Sequence, residues 1–397
     1  MKQINTSAGL IGSALEWYDF LLYIYFASIL APLFFPAHSY FVSLLMAFLV
    51  FAIGFLARPI GALVIGHIGD TYGRRRALIL SMSIMTISTF LIGVLPIYET
   101  IGIAAPLLLT IIRCVQGFAV SGEIGTSTSY LVEHAAEKKR GFAGSLVMTT
   151  AYLGIFIGLI VVTLVTYFIP QDILSSWGWR IPFILTLPWG ILALILRLRS
   201  MESPQFINQS KEMMKHHQPI KTIFLNHKRL LLFAIGVVSI SATCDYFFIG
   251  FFTHFLTNSN SGITLESAML INMISIFVFL FLVPFFGFLS DRVGRKKIYC
   301  ASLLGIIILG YPVFWLLIQK TFLTALAGEI LFAFLLAGID GIILTFLAEI
   351  FPTHIRNTGL TLTYNVSLAI FGGTVPFLAV WLIHTTQLEF APFFILS

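Results

Sequence analysis

Long apolar runs, each of roughly 20 residues or more, recur along this chain and are separated by short polar turns rich in Gly, Pro and charge. The pattern predicts eleven membrane-crossing helices, at residues 8–34, 41–68, 77–96, 103–131, 142–169, 180–198, 230–256, 264–289, 298–318, 322–348 and 358–383. A twelfth run starts near Phe390 and stops at Ser397, too short to cross a bilayer at about 1.5 Å per residue. The expectation is therefore a chain that ends before its natural terminus. The longest polar stretch, 200–229, reads as a linker between an N-terminal bundle at 1–199 and a C-terminal bundle at 230–397.

Composition agrees with the pattern and narrows the class. Of 397 residues, 58% are apolar and only 10% charged, against about 25% charged in a soluble domain. The sequence is that of an all-α, multi-pass membrane protein. Its net charge of +6 is explained by where the cations sit, with no need for nucleic acid. Lys2, Arg74–Arg76, Lys138–Arg140, the 197–229 cations, Arg292, Arg295–Lys297 and Arg356 all flank one side, and Arg180 and Lys320 the other. This asymmetry places the N-terminus in the cytoplasm. The first run holds Glu16 and Asp19 and has no evident cleavage site, so it is an uncleaved span. Cys114, Cys244 and Cys300 show no paired spacing, and His216-His217 lacks further ligands nearby, so no metal is expected.

A charged turn is written twice. Gly66-His-Ile-Gly-Asp70-Thr-Tyr-Gly73-Arg74-Arg75-Arg76 returns as Gly287-Phe-Leu-Ser-Asp291-Arg292-Val-Gly294-Arg295-Lys-Lys297. Glu133…Arg140 is echoed by Glu349…Arg356. Matched motifs at this distance imply two structurally equivalent halves. Glycines permit tight turns, and a carboxylate facing several cations can latch one helix end to its neighbour.

Ionisable residues inside the spans each need a reason, since each costs at least about 2.5–3.5 kcal/mol at the bilayer centre. They are Glu16, Asp19, Arg58, Arg113, Glu123, Asp245, Glu329 and Asp340. Gly12, Glu16, Asp19 and Tyr23 fall on one face of the first span. Two acids one turn apart oppose each other's ionisation, as a proton carrier requires. Arg113, Gln116, Glu123 and Ser127 form a polar stripe on the fourth span. Arg113, always charged and fork-shaped, suits a carboxylate substrate. Arg58 lies at the depth of Glu123 and is placed to pair with it. The candidate proton-coupling residues are Glu16, Asp19, Glu123, Asp245 and Asp340; the candidate solute-binding residues are Tyr23, Arg113, Gln116, Asp245 and Tyr246. The absence of a P-loop, a GxGxxG strand–helix unit, HExxH or a nucleophile with a positioned His argues against ATP-driven transport and against an enzyme.

These residues resemble a known family. The twice-written turn resembles the loop signature of the major facilitator superfamily. Glu16-Trp-Tyr-Asp19-Phe20, Arg58-Pro-Ile-Gly61, Gln116-Gly117 through Gly122-Glu123, Trp177-Gly-Trp-Arg180-Ile-Pro-Phe183, Glu202-Ser-Pro204 and Phe351-Pro-Thr-His-Ile-Arg356 are similar to the metabolite:proton symporters. The resemblance implies twelve helices in two pseudo-symmetric six-helix bundles, alternating access, and proton-coupled uptake across a bacterial inner membrane, with no cofactor. It implies that Asp70, Arg74 and Arg75 with Asp291, Arg292 and Arg295 latch the cytoplasmic gate, to which Gly66, Gly73, Gly294, Glu133, Arg140, Glu349 and Arg356 also belong. Asp245 and Asp340 depart from the family pattern, which is uncharged there. Extra acids favour a proline- or betaine-like zwitterion, its carboxylate at Arg113 and its ammonium at Asp245, over a di- or tricarboxylate. A non-transporting sensor on the same scaffold would need an output domain, and none is seen. A monomer in the bilayer suffices for the mechanism.

Overall fold

The computed structural model describes residues 2–202, 204–207, 219–258, 263–319, 321–372, 374–386, 388, 391 and 393–396. His216-His217, with residues 203 and 208–218 of the linker, Lys320 and Phe390 lie outside the described residues. All regular structure among those described is helical, and nine stretches are long and apolar enough to cross a membrane. The principal helices are α1 (Lys2–Phe34), α2 (Tyr40–Tyr72), α3 (Arg74–Val94), α4 (Ala104–Val120), α5 (Glu123–His134), α6 (Arg140–Phe168) and α7 (Thr186–Leu198). They continue as α8 (Lys228–Tyr246), α9 (Leu265–Val293), α10 (Arg295–Ile318), α11 (Phe322–Ile350), α12 (Arg356–Ser367) and α13 (Val375–Thr386).

Nine of the eleven expected spans recur among these stretches, while 8–34 falls on α1 and 358–383 on α12 and α13, and there are interruptions that hydropathy does not encode. The fourth is split between α4 and α5 at Ser121-Gly122. A wide π-turn at Leu174–Gly178 precedes the sixth, and the seventh and eleventh contain others at Phe247–Phe251 and Leu368–Gly372. Such turns are rare and frequent at functional sites. Thr264 and Thr321 start α9 and α11 by accepting the Ser267 and Thr324 amides at 3.3 Å, as N-caps do. The two matched glycines that join α2 to α3 and α9 to α10, Gly73 and Gly294, have φ of +110° and +101°. A side chain there would strain the backbone, which is why both copies of the turn carry glycine.

The chain divides into two compact units. The first comprises Met1–His134, Thr150–Thr222 and Pro352–Leu362; the second comprises Ala135–Thr149, Ile223–Phe351 and Thr363–Ser397. Within the first, Phe34 and Phe183 each meet the buried Trp179 edge-on, at 5.8 and 6.2 Å. Arg180 donates to the Gly93 and Leu95 carbonyls at 2.8 Å and so closes the C-terminus of α3. The Trp-Gly-Trp-Arg stretch is thus an anchor for α3. Within the second, α11 is the central helix: 78% of its apolar window is buried, against 33% for α10.

Candidate functional site

In the first unit, α1, α2 and α4 line a small, partly open cavity bordered by Glu16, Asp19, Gly54, Phe55, Arg58, Arg113, Gln116, Gly117 and Val120. Its walls approach closely because Gly117 packs on the Gly54 carbonyl, where any Cβ would collide. Arg113 lies 3.4 Å from Asp19 and donates to Gln116 Oε1. Gln116 Nε2 in turn donates to Asp19 Oδ2 and, at 2.8 Å, to Thr89. The guanidinium lies over the Tyr23 ring at 4.3 Å and over Phe51 at 5.4 Å, an aromatic seat for a cation. Tyr23 keeps that position by stacking on Phe51 and donating to the Ala47 carbonyl at 3.0 Å. Arg58 faces Glu16 at 3.6 Å and lies over Phe55.

The structure therefore joins four residues picked from the sequence, Asp19, Tyr23, Arg113 and Gln116, into one cluster, with Glu16 and Arg58 as a second pair in the same cavity. One expectation is corrected. Arg58 does not pair with Glu123; it pairs with Glu16, while Glu123 is engaged by Arg197 through both carboxylate oxygens. Depth along a span cannot say which way a residue points around the bundle. Arg197, read from the sequence as a flanking cation, is buried and also donates to the Leu78 carbonyl at 2.6 Å. Ser127 completes the shell of Glu123 at 3.0 Å. Gly12 leaves room for this pair, because a Cβ there would overlap both side chains. Glu123 does not line the cavity. Removing one partner strands a buried charge, so Glu123→Gln should lower unfolding stability by about 3–5 kcal/mol. A thermal melt in detergent identical to wild type would contradict this.

The second unit holds the remaining acids. Asp340 lies against Asp245 and accepts from Ser241 at 2.7 Å. Tyr246 packs its ring on Gly372, at the end of the π-turn that precedes α13. Asp245, Tyr246 and Asp340 are thus neighbours of one another's helices, in a different unit from Arg113.

The repeated turns have partners the sequence did not show. Asp70 accepts the amides of Asn357 and Thr358 at 3.1 and 2.8 Å, the Thr358 hydroxyl at 2.6 Å and Arg74 at 2.7 Å. Asp291 accepts the amides of Gly141 and Phe142 at 2.8 and 3.0 Å and pairs with Arg295 at 2.9 Å. Each loop aspartate thus sits on the N-terminus of a helix, α12 in the first unit and α6 in the second, where free amides and the helix dipole favour an anion. Gly66 backs onto Thr358 and Gly287 onto Ser145, close approaches that a Cβ would prevent. Glu133 bridges Arg74 and Arg356 at 3.2 and 3.0 Å, and Glu349 holds Arg295 at 3.1 Å. Arg140 and Arg356 mark the first residues of α6 and α12, which is the meaning of the Glu-x6-Arg echo. Two expected latch cations stand apart. Arg75 donates to the Arg197 and Leu198 carbonyls, and its amide meets Glu202; Arg292 stacks on Phe288 at 4.5 Å.

Residues 20–376 match the profile described as Major Facilitator Superfamily. The chain belongs to the major facilitator superfamily. Among its relatives is the glycine betaine/proline/ectoine/pipecolic acid transporter OusA of Dickeya dadantii, 34% identical over 97% of this chain and 78% of that protein. The proline/betaine transporter of Escherichia coli K12 is 34% identical over 98% of this chain and 79% of its own length. Among solved structures, that of the proton:xylose symporter XylE bound to 6-bromo-6-deoxy-D-glucose superposes with a TM-score of 0.80 at 19% identity, over 99% of this chain and 92% of that one. At that identity the likeness speaks to the superfamily fold. As a member of this superfamily the chain is a transporter and not an enzyme.

Proposed function

We propose that this chain is a proton-coupled symporter that takes up a small zwitterion of the proline or betaine kind across a bacterial inner membrane, with its N-terminus in the cytoplasm. The observation that carries the reading is the buried cluster of Arg113, Asp19 and Gln116 lining the cavity between α1, α2 and α4. A solute carboxylate competes with Asp19 for Arg113. A proton on Asp19 removes that competitor, so proton and solute bind together more readily than either alone. Relatives named as proline and betaine transporters support the solute class. In the cycle, solute and proton are carried by alternating access, and the aspartates seated on α6 and α12 hold the cytoplasmic ends until the substrate site is filled. A monomer in the bilayer suffices, and no cofactor is required.

A di- or tricarboxylate is the second reading, favoured by the two arginines, Arg58 and Arg113, that line the cavity together. Uptake of radiolabelled proline, glycine betaine, α-ketoglutarate and citrate into proteoliposomes separates the two. The expected result is accumulation of proline or glycine betaine under an inward proton gradient, abolished by a protonophore and by Asp19→Asn. Uptake that ignores pH and requires sodium would overturn the coupling, and accumulation of citrate alone would overturn the solute class.

A further inference from the structure

The two units treat their buried acids differently. In the first, Glu16, Asp19, Asp70, Glu123 and Glu133 each lie within ion-pair distance of an arginine. In the second, Glu329 of α11 is wholly buried and no cation reaches it among the described residues; its polar neighbours are Asn272 and Ser275 of α9. Among the described residues, no charged group of α8 or α10, which also pack on α11, acts on it. Oε2 receives Asn272 Nδ2 at 3.4 Å, and Oε1 has no hydrogen-bond partner. The surroundings are apolar: Phe332, one turn along α11, meets Phe248 at 6.3 Å and Phe252 at 5.0 Å. An ionised carboxylate without a cation in such a place is strongly unfavourable, whereas the neutral acid is tolerated.

The same asparagine reaches a second feature. Asn272 Nδ2 also donates to the Phe248 carbonyl at 2.8 Å. Phe248 lies in the π-turn Phe247–Phe251 that interrupts the seventh span. A wide turn interrupts the regular ladder of the α-helix, and the Asn272 amide adds a donor at one of its carbonyls. Glu329, Asn272 and the Phe248 carbonyl thus form one chain across three helices, ending at the π-turn of the seventh span.

We propose that Glu329 binds and releases a proton during transport, and that its neutral form maintains the Asn272 bridge to the π-turn beside α8. The proton is taken from water on one face of the membrane and returned to water on the other. When it leaves, the charged carboxylate draws in the Asn272 amide or water, and the bond from Asn272 to the Phe248 carbonyl is lost. This rests on the proton-coupled reading above and adds to it a coupling group in the other unit.

Glu329→Gln, a neutral mimic of the acid, tests it in proteoliposomes with radiolabelled proline and glycine betaine. The variant is expected to exchange internal for external solute at near wild-type rate, yet under a proton gradient to accumulate clearly less solute than wild type, the gradient then acting through Asp19 alone. Its exchange should fall less steeply as pH rises than that of wild type. Accumulation by the variant equal to wild type would overturn the proposal. Infrared spectra of the purified protein supply a readout that needs no solute. A carboxylic-acid C=O band that fades on raising the pH, and is missing from Glu329→Gln, supports a proton at this residue; identical spectra for the two proteins would overturn it. If wild type moves neither solute, the solute assignment fails, and the infrared comparison still decides the role of Glu329.

Discussion

Arg113→Lys is expected to weaken solute binding about 10- to 100-fold, because charge-assisted hydrogen bonds of about 1.5–3 kcal/mol are lost with the guanidinium fork. Arg113 meets Asp19 and Gln116 while its plane lies over Tyr23 and Phe51. A lysine retains the charge but places one compact ammonium where a planar group bonds along its edge and stacks on its face. Folding should survive, since the charge that Asp19 faces is conserved. Titration calorimetry with proline and glycine betaine, alongside a thermal melt, separates these effects. A lysine variant that binds either solute as tightly as wild type would show that Arg113 is a packing residue.

Asp70→Asn is expected to slow transport strongly while leaving solute affinity within about twofold of wild type, since the change removes a latch and touches no cavity residue. Asp70 receives four hydrogen bonds, three of them from Asn357 and Thr358 at the start of α12. Asparagine keeps one oxygen and turns an NH2 toward those donors, and Arg74 is left buried with only Glu133 as a charged partner at this distance. Losing a buried charge partner costs about 3–5 kcal/mol, which reduces the population of the latched form more than a hundredfold. Uptake rate and equilibrium binding measured on the same preparation decide the matter. A normal rate, or lost binding in a folded variant, would contradict the latch.

How far the sequence carried the account depends on the kind of interaction. Spans follow from hydropathy because lipid demands continuous apolar helix. The turns at Gly73 and Gly294 were visible because a positive φ selects glycine. The Asp19–Arg113–Gln116 cluster was half visible: α-helical spacing put Asp19 with Tyr23 and Arg113 with Gln116, but their meeting is a property of packing. The partners of Asp70 and Asp291 were hidden, since a helix N-terminus offers backbone amides, and these carry no residue signature. Arg197 was hidden for another reason. A cation at the end of an apolar run satisfies the positive-inside rule whether it faces water or, as here, turns inward to Glu123. The π-turns left no trace in composition, so the link from Glu329 through Asn272 to Phe248 could be read only from the folded chain.

The most direct test of proton-coupled transport through the Arg113 cavity is solute-evoked proton movement. Proteoliposomes with equal pH inside and out, carrying a pH-sensitive dye in the lumen, would be given proline or glycine betaine externally. The account predicts that the lumen acidifies as the solute enters, and that Arg113→Ala abolishes both signals together. Entry of labelled solute with no change in luminal pH would contradict it.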